Sequence, residues 1–140
     1  GSIECLRAID EFDGGGTVKF FHSLPREIFV NLMRNAICLV GNSSMGILEA
    51  PMYRLPVVNV GNRQKGRLNA GNVVFTDYDH ANIQVALDKA CTDQAFREEV
   101  RNLKNPYGDG DAPFRIVEFL DSVDHKNSMW YVKENLCLQE

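Results

Sequence analysis

Two short apolar runs, Ile37–Val40 and Val57–Val60, constrain this chain more than any other feature. Both are rich in branched residues, and each ends on a glycine, Gly41 and Gly61, which is the pattern of a buried strand closed by a turn. Between them, Gly41-Asn42-Ser43-Ser44 opens a stretch whose apolar spacing predicts a helix from Ser44 to about Tyr53. Strand, helix and strand in that order make a parallel pair with a right-handed crossover. The alternation continues on both sides. Ile3–Phe12 reads as a short helix stopped by the turn Asp13-Gly14-Gly15-Gly16, Thr17–His22 as a strand, and Ser23 and Pro25 as the opening of a helix with Ile28, Phe29, Leu32, Met33 and Ala36 on one face. Asn72–Asp77 reads as a strand. Ile83, Leu87 and Ala90 mark a helix, Phe96, Val100 and Leu103 a second after a break near Thr92, and Ala112–Val123 a last one. The fold class expected is α/β, a Rossmann-like parallel sheet with flanking helices.

Chemistry gathers where the two central strands end. Ser43 and Ser44 at a helix start offer hydroxyls and free backbone N–H groups to a phosphate. Glu49 comes five residues after Ser44, about 7.5 Å along a helix that rises about 1.5 Å per residue, close to the reach from a diphosphate to the ribose of one nucleotide. The second strand runs into Asn62-Arg63-Gln64-Lys65-Gly66-Arg67, a cationic loop. Each piece also has a plain structural use: Asn42-Ser43-Ser44 as a helix cap, Glu49 as a solvated carboxylate, Arg63–Arg67 as a basic surface. Their joint position at the carboxyl ends of consecutive parallel strands favours a ligand, because open α/β sheets bind there. The segment reads as half of a nucleotide-sugar site.

The pattern GNSS-x-G-x-x-EAP, followed by PVVN-x-GNRQ-x-GR and by NPYGDG at Asn105–Gly110, resembles the UDP-N-acetylglucosamine 2-epimerase family on its hydrolysing branch. The resemblance runs from about Val18 to Phe119. Ser43-Ser44, a single Glu49 before Ala50-Pro51, and Asn62-Arg63-Gln64 stand where the non-hydrolysing branch has a Ser-Gly-Gly stretch, paired glutamates and a Thr-Glu-Arg-Pro-Glu loop. The resemblance implies a two-domain GT-B architecture, of which residues 3–123 are a C-terminal, UDP-binding part lacking its first strands. Residues 124–140 are expected to form a mobile or partner-dependent tail, and Gly1-Ser2 read as a cloning scar. Without those first strands, the strands at Thr17 and Ile37 must pair directly, exchange with another copy, or leave an edge exposed.

The implied reaction turns UDP-N-acetylglucosamine and water into N-acetylmannosamine and UDP, through a glycal formed as UDP leaves. On this reading Ser43, Ser44 and Arg63 hold the diphosphate and Glu49 the ribose, while His22 and the backbone of Phe21 line the uracil pocket. Asn42, Gln64, Arg67 and Tyr107 are further candidates, with Lys65 either screening phosphate or facing water. The acid–base carboxylates belong to parts of the family outside this segment, so no catalytic residue is assigned within it. The implied partners are a UDP-sugar, an N-terminal domain of the same enzyme, and further copies of the chain. A glycosyltransferase half or a non-catalytic nucleotide-sugar module would share the serine and glutamate logic.

Composition narrows the rest. The 140 residues, 44% of them hydrophobic, suffice for one modest core. A net charge of −4 argues against a nucleic-acid or membrane footprint. Cys5, Cys38, Cys91 and Cys137 are widely spaced, with no CxxC pair, so neither a metal nor another cofactor is expected, and free thiols suit a cytoplasmic protein. Cys38 and Cys91 fall on apolar faces as small core residues.

Overall fold

The structure, a computed structural model, describes residues 2–12, 16–124, 126, 127 and 130. Its elements run α1 (Ser2–Glu11), α2 (Arg26–Asn35), β1 (Leu39–Gly41), α3 (Met45–Leu48), a 3-10 turn (Ala50–Tyr53), β2 (Val57–Val60), β3 (Val73–Thr76), α4 (His80–Thr92), α5 (Gln94–Asn102) and α6 (Ala112–Ser122). The three strands form one parallel sheet in the order β1-β2-β3, with Leu39 opposite Val57 and Val57 opposite Val73.

The strand period of two sends Val57 and Val58 to opposite faces, and each face has its own core. Val58 is buried with Ala86, Ala90, Phe96 and Val100 from α4 and α5. Val57 is buried with Met33, Ala50 and Leu55, under α2 and the 3-10 turn. A parallel sheet covered on both faces is the arrangement its near-continuous apolar strands require. Aspartates set the helix starts on the first face. The Asp79 carboxylate accepts from the N–H groups of Ala81 and Asn82 at 2.9 and 3.1 Å, and that of Asp93 from Phe96 at 3.1 Å, so Asp93 both stops α4 and starts α5.

Two local expectations are corrected. Thr17–His22 is not a strand: the segment is irregular, joins no sheet, and packs Phe20 edge-on against Phe12 of the preceding segment, with ring centroids 6.5 Å apart. Among the described residues β1 is therefore an edge strand, with Val40 48% accessible. Second, the helix expected over Ser44–Tyr53 is broken in two. Pro51 has no N–H to give the carbonyl of Ile47, so α3 ends at Leu48 and the chain tightens into the 3-10 turn. The helix expected to open at Ser23 and Pro25 does begin there, as α2, with Pro25 in the cap position and its carbonyl accepting from Phe29 N–H at 3.0 Å. The expected turn at Asp13–Gly15 lies outside the described residues, as does most of the tail beyond Asp124; Trp130 is described and packs edge-on against Phe119 of α6.

Candidate functional site

Because β1 and β2 are neighbours in register, with Gly41 opposite Asn59, the turn 41–44 and the loop 61–72 leave the sheet side by side. Ser43 Oγ accepts from Met45 N–H at 3.3 Å. Ser44 stands at the start of α3 with its hydroxyl making no cap bond, so that group is free for a ligand. At four residues α3 carries only a small dipole, and anion affinity here must come from hydroxyls, turn N–H groups and side-chain charge rather than from a long helix.

The short helix is nonetheless held firmly. Gly46 lets it lie on β2, since a β-carbon there would come within 2.8 Å of Val57 Cγ1. From the start of β3, fully buried Asn72 donates to the carbonyls of Gly46 and Leu55 at 3.1 and 3.2 Å. Glu49 N–H still donates to Met45 O at 2.9 Å, so the backbone from Ser44 to Glu49 keeps its helical rise. The Glu49 carboxylate, with 38% of its side chain accessible, meets Arg26 Nη2 of α2 at 3.1 Å. That pair anchors one side of the carboxylate and leaves lone pairs open to solvent.

The loop after β2 begins at Gly61, in the left-handed region at φ 86°, where a β-carbon would run into the Tyr78 hydroxyl. Buried Asn59 donates to the Gly61 carbonyl at 3.0 Å and fixes this exit. A cavity of about 400 Å³ opens beside it, lined by Gly61, Asn62, Lys65, Thr76, Asp77 and Tyr78. Arg63 and Arg67 are exposed and, among the described residues, their guanidinium groups bond to nothing, so their charge is available. Gln64 between them points inward, 1% accessible, and its Nε2 donates to Asn42 O at 2.9 Å. The Tyr107 hydroxyl donates to Leu68 O at 2.7 Å and ties the far side of the same loop. Its own loop is braced by Asp109, which grips Arg115 through two bonds of 2.9 and 3.0 Å. Arg115 holds the Asp109 carboxyl well below the usual carboxylate range.

Asn42, Ser43 and Ser44 thus stand in the turn after β1 and Arg63, Gln64 and Arg67 in the loop after its neighbour β2, with Gln64 bonded to Asn42 and Tyr107 to Leu68 of that loop. Glu49 lies at the far end of α3 beside Arg26. The structure does not bring Phe21 or His22 to that turn or loop. Both are exposed on the irregular segment before α2, and among the described residues no hydrogen bond or ion pair joins them to the turn or the loop. Sequence reasoning passed over Arg26, Asn59 and Asn72. The two asparagines did leave a signal, as polar residues at apolar strands that could be buried only if bonded. Arg26 left none, because its partner is set by how α2 packs.

The family whose description is UDP-N-acetylglucosamine 2-epimerase matches residues 3–121. Over 112 residues the chain is 33% identical to a UDP-N-acetylglucosamine 2-epimerase of Neisseria meningitidis, covering 80% of the chain and 28% of that protein. It is 36% identical over 115 residues to a GDP/UDP-N,N'-diacetylbacillosamine 2-epimerase (hydrolyzing) of Campylobacter jejuni, covering 78% of the chain and 29% of that protein. A solved UDP-N-acetylglucosamine 2-epimerase superposes with a TM-score of 0.70 at 25% identity, over 94% of this chain and 35% of that one. The chain therefore spans about a third or less of the length of these relatives. The parallel sheet with flanking helices is a partial GT-B half.

Proposed function

The chain belongs to the UDP-N-acetylglucosamine 2-epimerase family, and from that premise we propose that it is the C-terminal, nucleotide-binding part of a hydrolysing member, holding the UDP of a UDP-acetamido sugar. The observation that carries this reading is that two serine hydroxyls and an exposed guanidinium follow the ends of two adjacent parallel strands, with a partly open carboxylate one short helix beyond the serines. Ser43 and Ser44 donate to the diphosphate, Arg63 bonds two of its oxygens in the plane of the guanidinium, and Glu49 accepts from the ribose hydroxyls. As UDP departs the diphosphate gains charge, so donors fixed in advance lower the barrier more than they tighten the ground state. The proton at C2 and the water that replaces UDP are handled by groups outside this segment. Arg67, Asn42 and Tyr107 support the site from its rim, and the uracil reaches toward Phe21 and His22 only if the segment before α2 shifts. Free Cys5, Cys38 and Cys91 suit the cytoplasm, and we place the enzyme there as a homo-oligomer.

The Campylobacter relative's name adds a second reading, in which the sugar carries two acetamido groups. The test is to incubate the longer protein with UDP-N-acetylglucosamine and with the UDP-diacetamido sugar. The reading expects equal amounts of UDP and free 2-epimerised sugar from one of them. A product that keeps its UDP, or sugar passed to an acceptor, would overturn it.

A further inference from the structure

Gln64 is the one residue between Asn62 and Arg67 that is buried; Arg63 and Lys65 on either side of it are exposed. Its Nε2 reaches back 22 residues to the carbonyl of Asn42 at 2.9 Å, while its Oε1 is buried with no hydrogen-bond partner. An amide half of whose bonding is lost on burial is a costly way to fill space, and an apolar side chain of the same length would do so without that cost. What the amide adds is the one bond. Its position is informative: the carbonyl it holds belongs to the residue just before Ser43, and Gln64 itself directly follows Arg63. The register of β1 and β2 sets their strand ends side by side, and Asn72 at the loop's far end holds Gly46. Next to the hydroxyl pair and the guanidinium, however, the Gln64 bond is the one side-chain bond between the turn 41–44 and the loop among the described residues.

We propose that Gln64 is a positioning residue: buried away from ligand, it clamps the loop 61–72 to the turn 41–44 so that Ser43, Ser44 and Arg63 close on one diphosphate. The proposal rests on the UDP-binding reading for what the clamp serves, but the clamp itself can be tested without a ligand. Gln64→Met keeps length and volume and removes the bond. In this variant the amide hydrogens of Ser43–Met45 and Arg63–Arg67 exchange faster, while those of α4 are unchanged. Unchanged exchange at both segments would overturn the clamp, whatever binds.

The second arm measures UDP and uridine affinity in the wild type, Gln64→Met, Arg63→Ala and the double variant. A loosened clamp costs UDP about tenfold or more, since an ångström of misplacement is expensive at a charged contact. Uridine loses less than about twofold, because it carries no diphosphate for the clamp to serve. In the Arg63→Ala background Gln64→Met adds nothing further for UDP. Parallel losses for UDP and uridine would mean general loosening, and losses that multiply in the double variant would mean that Gln64 does not act through Arg63; either result overturns the positioning role. A wild type that binds neither ligand sinks the UDP reading, and the exchange arm then still decides whether the clamp exists.

Discussion

Glu49 and Arg26 touch at 3.1 Å at a place where both still meet solvent, so the carboxylate is oriented by one partner and open to another. For that reason Glu49→Ala should weaken UDP binding by roughly 1.5–3 kcal/mol, the worth of hydrogen bonds to a charged group. Deoxyribose analogues of UDP should lose less affinity in the variant than in the wild type; equal losses would mean that Glu49 does not read the ribose. Arg63→Lys keeps the charge but not the planar donor pair, so the longer protein should lose rate clearly, whereas Arg67→Lys should be milder. If steady-state rates showed the reverse order, the diphosphate clamp would lie nearer Arg67. Cys38 supplies a third check. Burial first, and then the neighbouring Cys91, push its thiol up to about 11. At pH 8 only about one Cys38 in a thousand is thiolate. Iodoacetamide followed by peptide mass analysis should find exposed Cys5 alkylated well before Cys38. Residue type and spacing were enough to single out Ser43, Ser44, Glu49 and Arg63 as candidates, because the chemistry of each is written in its side chain. The inward direction of Gln64 was not legible, since in sequence it sits in the middle of a cationic, apparently solvated loop.

At the scale of elements, the strands that pair were legible to within a residue or two, and the breaks between them were set by side chains that can be named. The stop at Asp93 follows from a carboxylate that prefers capping a helix to continuing one. The interruption of the Ser44–Tyr53 helix was written in Pro51, and reading the apolar spacing alone missed it. Thr17–His22 failed for a different reason. Its residues are good strand formers, but a strand exists only when a neighbour accepts its hydrogen bonds, and no local pattern supplies one. The 105–111 loop yields a pH prediction. Arg115 keeps the Asp109 carboxylate ionised to unusually low pH, so the bridge is fully present above the ordinary aspartate range near pH 4 and is lost as pH falls through the depressed folded value. Amide exchange at Tyr107–Asp111 should therefore be faster in Asp109→Asn than in the wild type at neutral pH, with the two converging in strong acid. Both groups are exposed, so the difference should shrink in high salt.

Among the described residues the molecule is a sheet of three strands, with β1 and β3 at its edges, and two of its helices, α1 and α6, present apolar residues outward. Leu6 is 57% accessible and Phe114 76%. Surfaces of that kind ask for a cover, and the chain's match spans only 28% and 35% of the length of two of its relatives. The isolated chain should therefore self-associate as its concentration rises in sedimentation, and should show no turnover of UDP-N-acetylglucosamine above a buffer control, because the proposed function assigns the acid–base groups to other parts of the enzyme. Turnover by the purified chain would overturn that division of labour. Binding is the more direct question, since the proposed function places UDP on this segment alone. UDP titrated into the isotope-labelled chain, with backbone amides followed by NMR, answers it residue by residue. Saturable shifts are expected at Asn42–Met45, Glu49 and Asn62–Arg67, with uridine leaving Ser43, Ser44 and Arg63 largely unmoved. UDP that shifts none of these amides, or saturates only at the hollow lined by Gln94, Arg97 and Arg101 on the far side of the chain order, would contradict the account.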